Sequence, residues 1–261
     1  MKHSVKITAI LVSLFLLAQL IGLYIVNNYP TGRELPYNIE RPDFEPKTSF
    51  IPIFITITIA SIIALLLVRF NAQSLWKIWF LLAVVFTLLI AFSVFMPETI
   101  ALLVAVVLSV FKIFKRNLFI HNFTELFIYG GLAAIFVPIL SILSISILLI
   151  LISLYDIYAV WKSKHMVKLA KFQAKMKLFA GIFIPYEKKT AILGGGDIGF
   201  PLLFAGVILD KIGLLSSIIV ILFSTLALLL LLIYSKKGRF YPAMPFISAG
   251  CFLGYLVVLL I

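Results

Sequence analysis

The sequence predicts an all-α integral membrane protein with nine transmembrane helices, and three observations lead to that class. Of 261 residues, 63% are apolar and 12% charged, with a mean hydropathy of +1.20. Soluble domains run at about 45–50% apolar and about 25% charged. The apolar residues fall in runs close to the ~20 residues that cross a hydrocarbon core. Finally, the basic residues collect in alternate breaks between these runs, the charge asymmetry that orients membrane proteins. Composition thus excludes a soluble domain of any size. The net charge of +12 is accounted for by orientation in the bilayer, so nucleic acid is not expected as a partner.

Taken in order, the first span covers 6–26 behind Lys2 and Lys6. It is too long for a signal-peptide core and lacks a small-x-small cleavage site, so it reads as a retained span. Asn27 to Phe50 holds Pro30, Pro36, Pro42 and Pro46 and reads as an exposed, partly extended loop. Spans at 51–69, 76–96, 99–115, 118–138 and 140–161 follow, the last two parted only by Pro138. In the polar stretch Trp161 to Thr190, Lys164, Lys168, Lys171 and Lys175 recur at helical spacing beside Val167, Ala170, Ala174 and Leu178. This predicts a basic amphipathic helix lying on the inner lipid surface. Spans at 191–209, 212–234 and 241–261 complete the chain. The expected organisation is a six-helix part, 1–165, a basic cytosolic loop, 166–190, and a three-helix part, 191–261. With the N-terminus inside, only Arg33, Arg41, Lys47 and Lys211 of the 22 Lys and Arg residues lie outside, and the C-terminus faces out. The lone Cys251 can form no intramolecular disulfide and reads as a small packing residue.

Three acids fall inside these spans: Glu125, Asp156 and Asp197. An aspartate at the middle of a membrane helix costs roughly 2.5–3.5 kcal/mol on insertion scales, so each needs a reason to be there. Tyr155-Asp156 lies near the inner end of its span, about 9 Å below the basic loop at ~1.5 Å per residue. Gly194-Gly195-Gly196-Asp197 opens the next span, and the same ruler puts Asp197 about 10 Å deep. Equal depth on consecutive spans allows the two carboxylates to face each other and share a proton. Such a pair can activate a water and protonate a departing amide nitrogen. The competing bland reading of the glycine stretch is a tight turn followed by an aspartate cap. Glu125 lies one helical turn after His121, and these two are expected to form a structural pair. Tyr241-Pro242-Ala243-Met244-Pro245 delays the start of the last helix, because two prolines withhold backbone donors. Irregular backbone at membrane depth is tolerated only against protein or a water-filled cavity.

These residues resemble the presenilin and signal peptide peptidase family of intramembrane aspartyl proteases, above all its archaeal presenilin-like homologues. Tyr155-Asp156 is similar to the family's YD motif, Gly194-Gly195-Gly196-Asp197 to GxGD, and Pro242-Ala243-Met244 to PAL, with methionine in place of leucine. The resemblance covers roughly the last 120 residues. It implies nine spans with a cytosolic N-terminus, Asp156 and Asp197 as the catalytic pair, and a substrate-facing edge of Tyr155, Gly194, Gly195, Gly196, Pro242, Ala243 and Met244. It further implies partly unwound membrane-spanning helices as substrates, an archaeal cell membrane as location, and possible homo-oligomers. Neither a metal nor another cofactor is expected, since no H-E-x-x-H occurs. Two alternatives stand beside this reading. One is a proton-coupled transporter or channel, which also uses paired intramembrane carboxylates. The other is a prepilin-type GxGD peptidase, although Ile198-Gly199-Phe200-Pro201 rather than x-Lys follows the aspartate here.

Overall fold

The computed structural model describes residues 4–70, 72–115, 117–162, 179–186, 189–235 and 241–261. The stretch Lys164 to Lys177, for which an amphipathic helix is expected, lies outside the described residues, as do Lys2, Arg116, Lys188, Lys236, Lys237 and Arg239.

Among the described residues the chain forms α1 Val5–Asn27, α2 Phe50–Arg69, α3 Gln73–Phe92, α4 Glu98–Val110, α5 Leu118–Phe136, α6 Ile142–Ile157, α7 Gly195–Lys211, α8 Leu214–Tyr234 and α9 Met244–Leu260. Several start where a short polar side chain can satisfy the first orphan N–H groups. Ser4 accepts from Ile7 N, Asn117 from Phe119 and Ile120 N, and Ser141 from Ser144 N. Pro138 sits in a 3₁₀ turn, Val137–Ile139, that parts α5 from α6. Two helices run on into π-helical turns, α4 through Phe111–Lys115 and α6 through Tyr158–Lys162.

Six helical stretches among the described residues are long and apolar enough to cross a membrane: Val5–Asn27, Phe50–Leu67, Gln73–Phe92, Leu118–Ile139, Ile142–Lys162 and Leu214–Tyr234. Of the other three expected spans, α4 has 13 residues before its π turn, and α7 and α9 have 17 each.

α1 stands near the centre, packed on α5, α7 and α8. Leu11, Phe15, Ala18, Gly22 and Val26 recur at three- and four-residue steps and are buried, which puts one stripe of the helix against its neighbours. α3 joins α4 and α5, while α9 lies along α8 and reaches α6 and α7. α2 is apolar all round yet mostly exposed, with Ile51, Ile55, Ile59, Ile62 and Leu66 among its open side chains. Such a face is suited to lipid.

The described residues are mostly helical, as expected, with one short hairpin that the all-α reading did not include. β1 Gly181–Tyr186 and β2 Lys189–Gly194 form an antiparallel hairpin, with Ile182 opposite Leu193 and Ile184 opposite Ala191. The reason is a local period of two. Ile182, Ile184, Ala191 and Leu193 are all buried and form cross-strand apolar pairs on one face. The hairpin takes up residues read from hydropathy as the end of the basic loop and the start of the span at 191. Helix therefore begins only at Gly195.

Candidate active site

Asp197 is the third residue of α7, whose N-cap is Gly194. From that position its carboxylate turns back toward Gly194, where a Cβ would stand 3.1 Å from Oδ2, the placing of the return half of a capping box. The negative charge also lies at the favourable end of the helix dipole. The aspartate-cap reading of the sequence is thus met in part, and it coexists with a second relationship. Asp156 and Asp197 stand on the packed α6 and α7 helices. The approach to Asp197 differs from the expectation, because strand β2 rather than two turns of helix precedes it. Strand rises about 3.3 Å per residue against ~1.5 Å for helix.

The three glycines before Asp197 are not equivalent. A Cβ on Gly195 would lie 2.8 Å from the Tyr129 hydroxyl and 3.3 Å from the Ala180 carbonyl. The Gly195 N–H donates to that same carbonyl at 2.9 Å. Close approach therefore requires glycine here. A Cβ on Gly194 would stand 3.1 Å from Asp197 Oδ2, whereas one on Gly196 would meet only the Phe200 ring, at 3.5 Å. Two residues beyond Gly199, Pro201 withholds the N–H that would bond the Asp197 carbonyl. The next carbonyl, that of Ile198, accepts Nε2 of buried Gln19 from α1 at 2.8 Å.

Asp156 stands one residue before the end of α6, partly buried, with Tyr155 beside it. Its carboxylate accepts the Met244 N–H at 3.2 Å and faces the Ala243 N–H beside it. These donors are free because α9 starts without a side-chain cap. Pro245 has no N–H, and Phe246 and Ile247 N–H donate to the Ala243 carbonyl at 3.2 and 3.1 Å. Every donor of that first turn is thus accounted for. One turn earlier, Ser153 Oγ donates to Ser248 Oγ at 3.0 Å, so α6 and α9 are tied twice. Pro242 and Met244 are buried. The Pro242-Ala243-Met244 segment therefore holds an aspartate directly, a role the sequence reading did not assign to it.

A second polar cluster was only partly legible in the sequence. Glu125 on α5 pairs with Lys112 Nζ at 2.6 Å, both fully buried, and accepts from the Tyr129 hydroxyl. Lys112 is hence no solvated flanking charge, and it also reaches Thr124 Oγ1 at 3.0 Å. The expected His121–Glu125 pair takes a different form. Both side chains turn to Gly181, His121 Nε2 at 2.9 Å from its carbonyl and Glu125 Oε2 accepting its N–H at 2.9 Å. Asn122 holds the backbone of Phe183, donating to its carbonyl at 2.9 Å and accepting its N–H at 3.0 Å. The available signal was two ionisable residues, 13 apart, bordering one predicted hairpin of spans.

A bundle of long apolar helices with one aspartate on each of two packed helices, Asp156 on α6 and Asp197 on α7, defines a class of polytopic membrane protein with paired intramembrane acids. A sequence profile of the signal-peptide peptidase, presenilin aspartyl protease family matches residues 12–261. Among solved structures, one described as a presenilin family intramembrane aspartate protease in a C222 crystal form is similar with a TM-score of 0.70 and 19% identity, covering 97% of this chain and 99% of the other. Another of the same description, in a P2 form, gives 0.69 and 18%, covering 96% and 97%. Among curated protein sequences, none matches. The chain belongs to the signal-peptide peptidase and presenilin family of aspartyl proteases. It is accordingly a hydrolase and an integral membrane protein.

Proposed function

We propose that the protein is an intramembrane-cleaving endopeptidase in which Asp156 and Asp197 form one acid–base pair. One carboxylate, ionised, takes a proton from a water that attacks the scissile carbonyl. The other, protonated, donates to the amide nitrogen as the carbon–nitrogen bond breaks. The proton gained by the first carboxylate returns to the second, so the pair ends as it began, and the scheme needs neither metal nor cofactor. The substrates are membrane-spanning peptides, partly unwound, since hydrolysis needs an exposed carbonyl and an intact helix bonds each one internally. Nine spans with a cytosolic N-terminus, in an archaeal cell membrane, complete the reading. The observation that carries it is the placing of two aspartates on packed helices, Asp156 at the end of α6 and Asp197 in the first turn of α7, with the Asp156 carboxylate held by the Met244 N–H. That bond leaves the remaining lone pairs of the Asp156 carboxylate for a water and a substrate.

The test is cleavage of a labelled transmembrane peptide by purified protein, with and without a transition-state-mimicking aspartyl protease inhibitor. Asp156→Asn and Asp197→Asn should each abolish cleavage while melting at or slightly above the wild-type temperature, because a buried charge disappears and the amide still accepts the backbone bond. Wild-type activity should fall at low pH, where both carboxyls are protonated and no base remains, and at high pH, where both are ionised and no acid remains. Full activity in either variant would refute the mechanism.

A further inference from the structure

Building on that proposed mechanism, we infer that the buried α4–α5 cluster is a clamp that positions Asp197, with Glu125 as its central positioning residue. Each link is a contact. Glu125 and His121 take up the N–H and the carbonyl of Gly181. Asn122 takes up both backbone groups of Phe183. Alternate residues of a strand turn their backbone groups the same way, so α5 replaces a third strand along the outer edge of β1. Gly181 is paired in register with Gly194, and Gly194 lies against the Asp197 carboxylate, a Cβ there standing 3.1 Å from Oδ2. Glu125 is thus connected to Asp197 through two backbone residues. A second route runs through Tyr129, which bonds Glu125 and packs against Gly195.

The clamp itself is held from below. Lys112 bonds Glu125, Thr124 and, at 3.4 Å, the His121 carbonyl. Glu125 therefore has no rotational slack. A buried ion pair is weak evidence for stability, since well-packed apolar residues often serve as well. Geometry is the property that such a network supplies and an apolar contact does not. The stretch leading to Asp197 needs it, because Gly181 has a φ of +138°, the region that favours glycine, and a Cβ there would lie 2.2 Å from the Leu193 carbonyl. A strand start with so little side chain has no packing of its own to fix it.

The experiment compares two double variants of the full-length protein in detergent. Lys112→Met with Glu125→Leu removes both charges and also the acceptor for Gly181. Lys112→Met with Glu125→Gln removes both charges but keeps an acceptor. The Gln variant should melt near the wild-type temperature, and the Leu variant a few degrees lower, since the Gly181 N–H and the Tyr129 hydroxyl lose their acceptor. The Leu variant should lose roughly 10–100-fold in kcat, with KM within about threefold, because misplacing a reacting group by an ångström costs on that order. Amide exchange across 181–184 should accelerate in the same variant. The Gln variant should recover most of kcat and of the protection. Wild-type kcat and protection in the Leu variant, or equal losses in both, would overturn the clamp. Should the Leu variant fail to fold, Asn122→Leu, which breaks only the Phe183 bonds, should show the same exchange and kcat signature, and its absence overturns the clamp. If the wild-type protein cleaves nothing, the protease reading fails on its own, while the exchange contrast still decides whether the clamp holds the hairpin.

Discussion

Gly195→Ala is the substitution that most directly probes how the candidate site is built. The new methyl would stand 2.8 Å from the Tyr129 hydroxyl, 3.2 Å from its Cε1 and 3.3 Å from the Ala180 carbonyl, against ~3.5–4.0 Å for ordinary contact. Tyr129 cannot swing aside freely, because its hydroxyl is bonded to Glu125 and Glu125 to Lys112. Ala180 cannot retreat without breaking its bond to the Gly195 N–H. Overpacking of this kind costs about 1–3 kcal/mol, which for a chain of this size lowers Tm by about 2–4 °C per kcal/mol. The easiest relief is outward movement of the first turn of α7, and that turn carries Asp197. Cleavage should therefore fall by roughly 10–100-fold. Gly196→Ala is the internal control for stability: its methyl meets only Phe200, at 3.5 Å, and Ala is favoured over Gly in a helix by up to about 1 kcal/mol, so Tm should hold or rise. The assay is Tm and peptide cleavage for both variants in one detergent. A Gly195→Ala protein that melts and cleaves like wild type would refute the close-approach argument.

Two further outcomes are expected. Pro242→Leu adds a backbone donor and frees φ just ahead of the Ala243 and Met244 groups that face Asp156, so cleavage should drop at least about tenfold with Tm little changed, measured on the same peptide. Single cysteines at Tyr37 and Lys171, in a Cys251→Ala background, should be labelled by a membrane-impermeant thiol reagent from opposite faces, and labelling from one face would refute the nine-span topology.

Hydropathy made the helices legible, because lipid imposes the same length and the same polar penalty on each. Their ends match best where a side chain punctuates the chain, as at Asn117 and Pro138. It misread residues 181–194, where Ile182, Phe183 and Ile184 look alike to a hydropathy window whatever backbone they adopt. Only the period-two burial of Ile182, Ile184, Ala191 and Leu193 tells strand from helix. The two aspartates were legible because ionisable groups in an apolar run are conspicuous. The contacts that orient them were not. The Ala243 and Met244 donors are backbone groups, identical in every residue but proline, and Gln19 meets Ile198 across 179 positions of sequence. The Lys112–Glu125 pair was hidden for another reason: a lysine at the end of a span reads as a topology signal until its burial is known.

The bond from Met244 to Asp156 also sets an order of events during synthesis. Both aspartates leave the ribosome before the segment that anchors one of them. Until the α9 start has been made and has docked on α6, the Asp156 carboxylate lacks the Met244 N–H that it accepts in the folded protein. If Asp156 and Asp197 act as the pair proposed above, competence to cleave waits on the docking of the last helix and so on completion of the bundle.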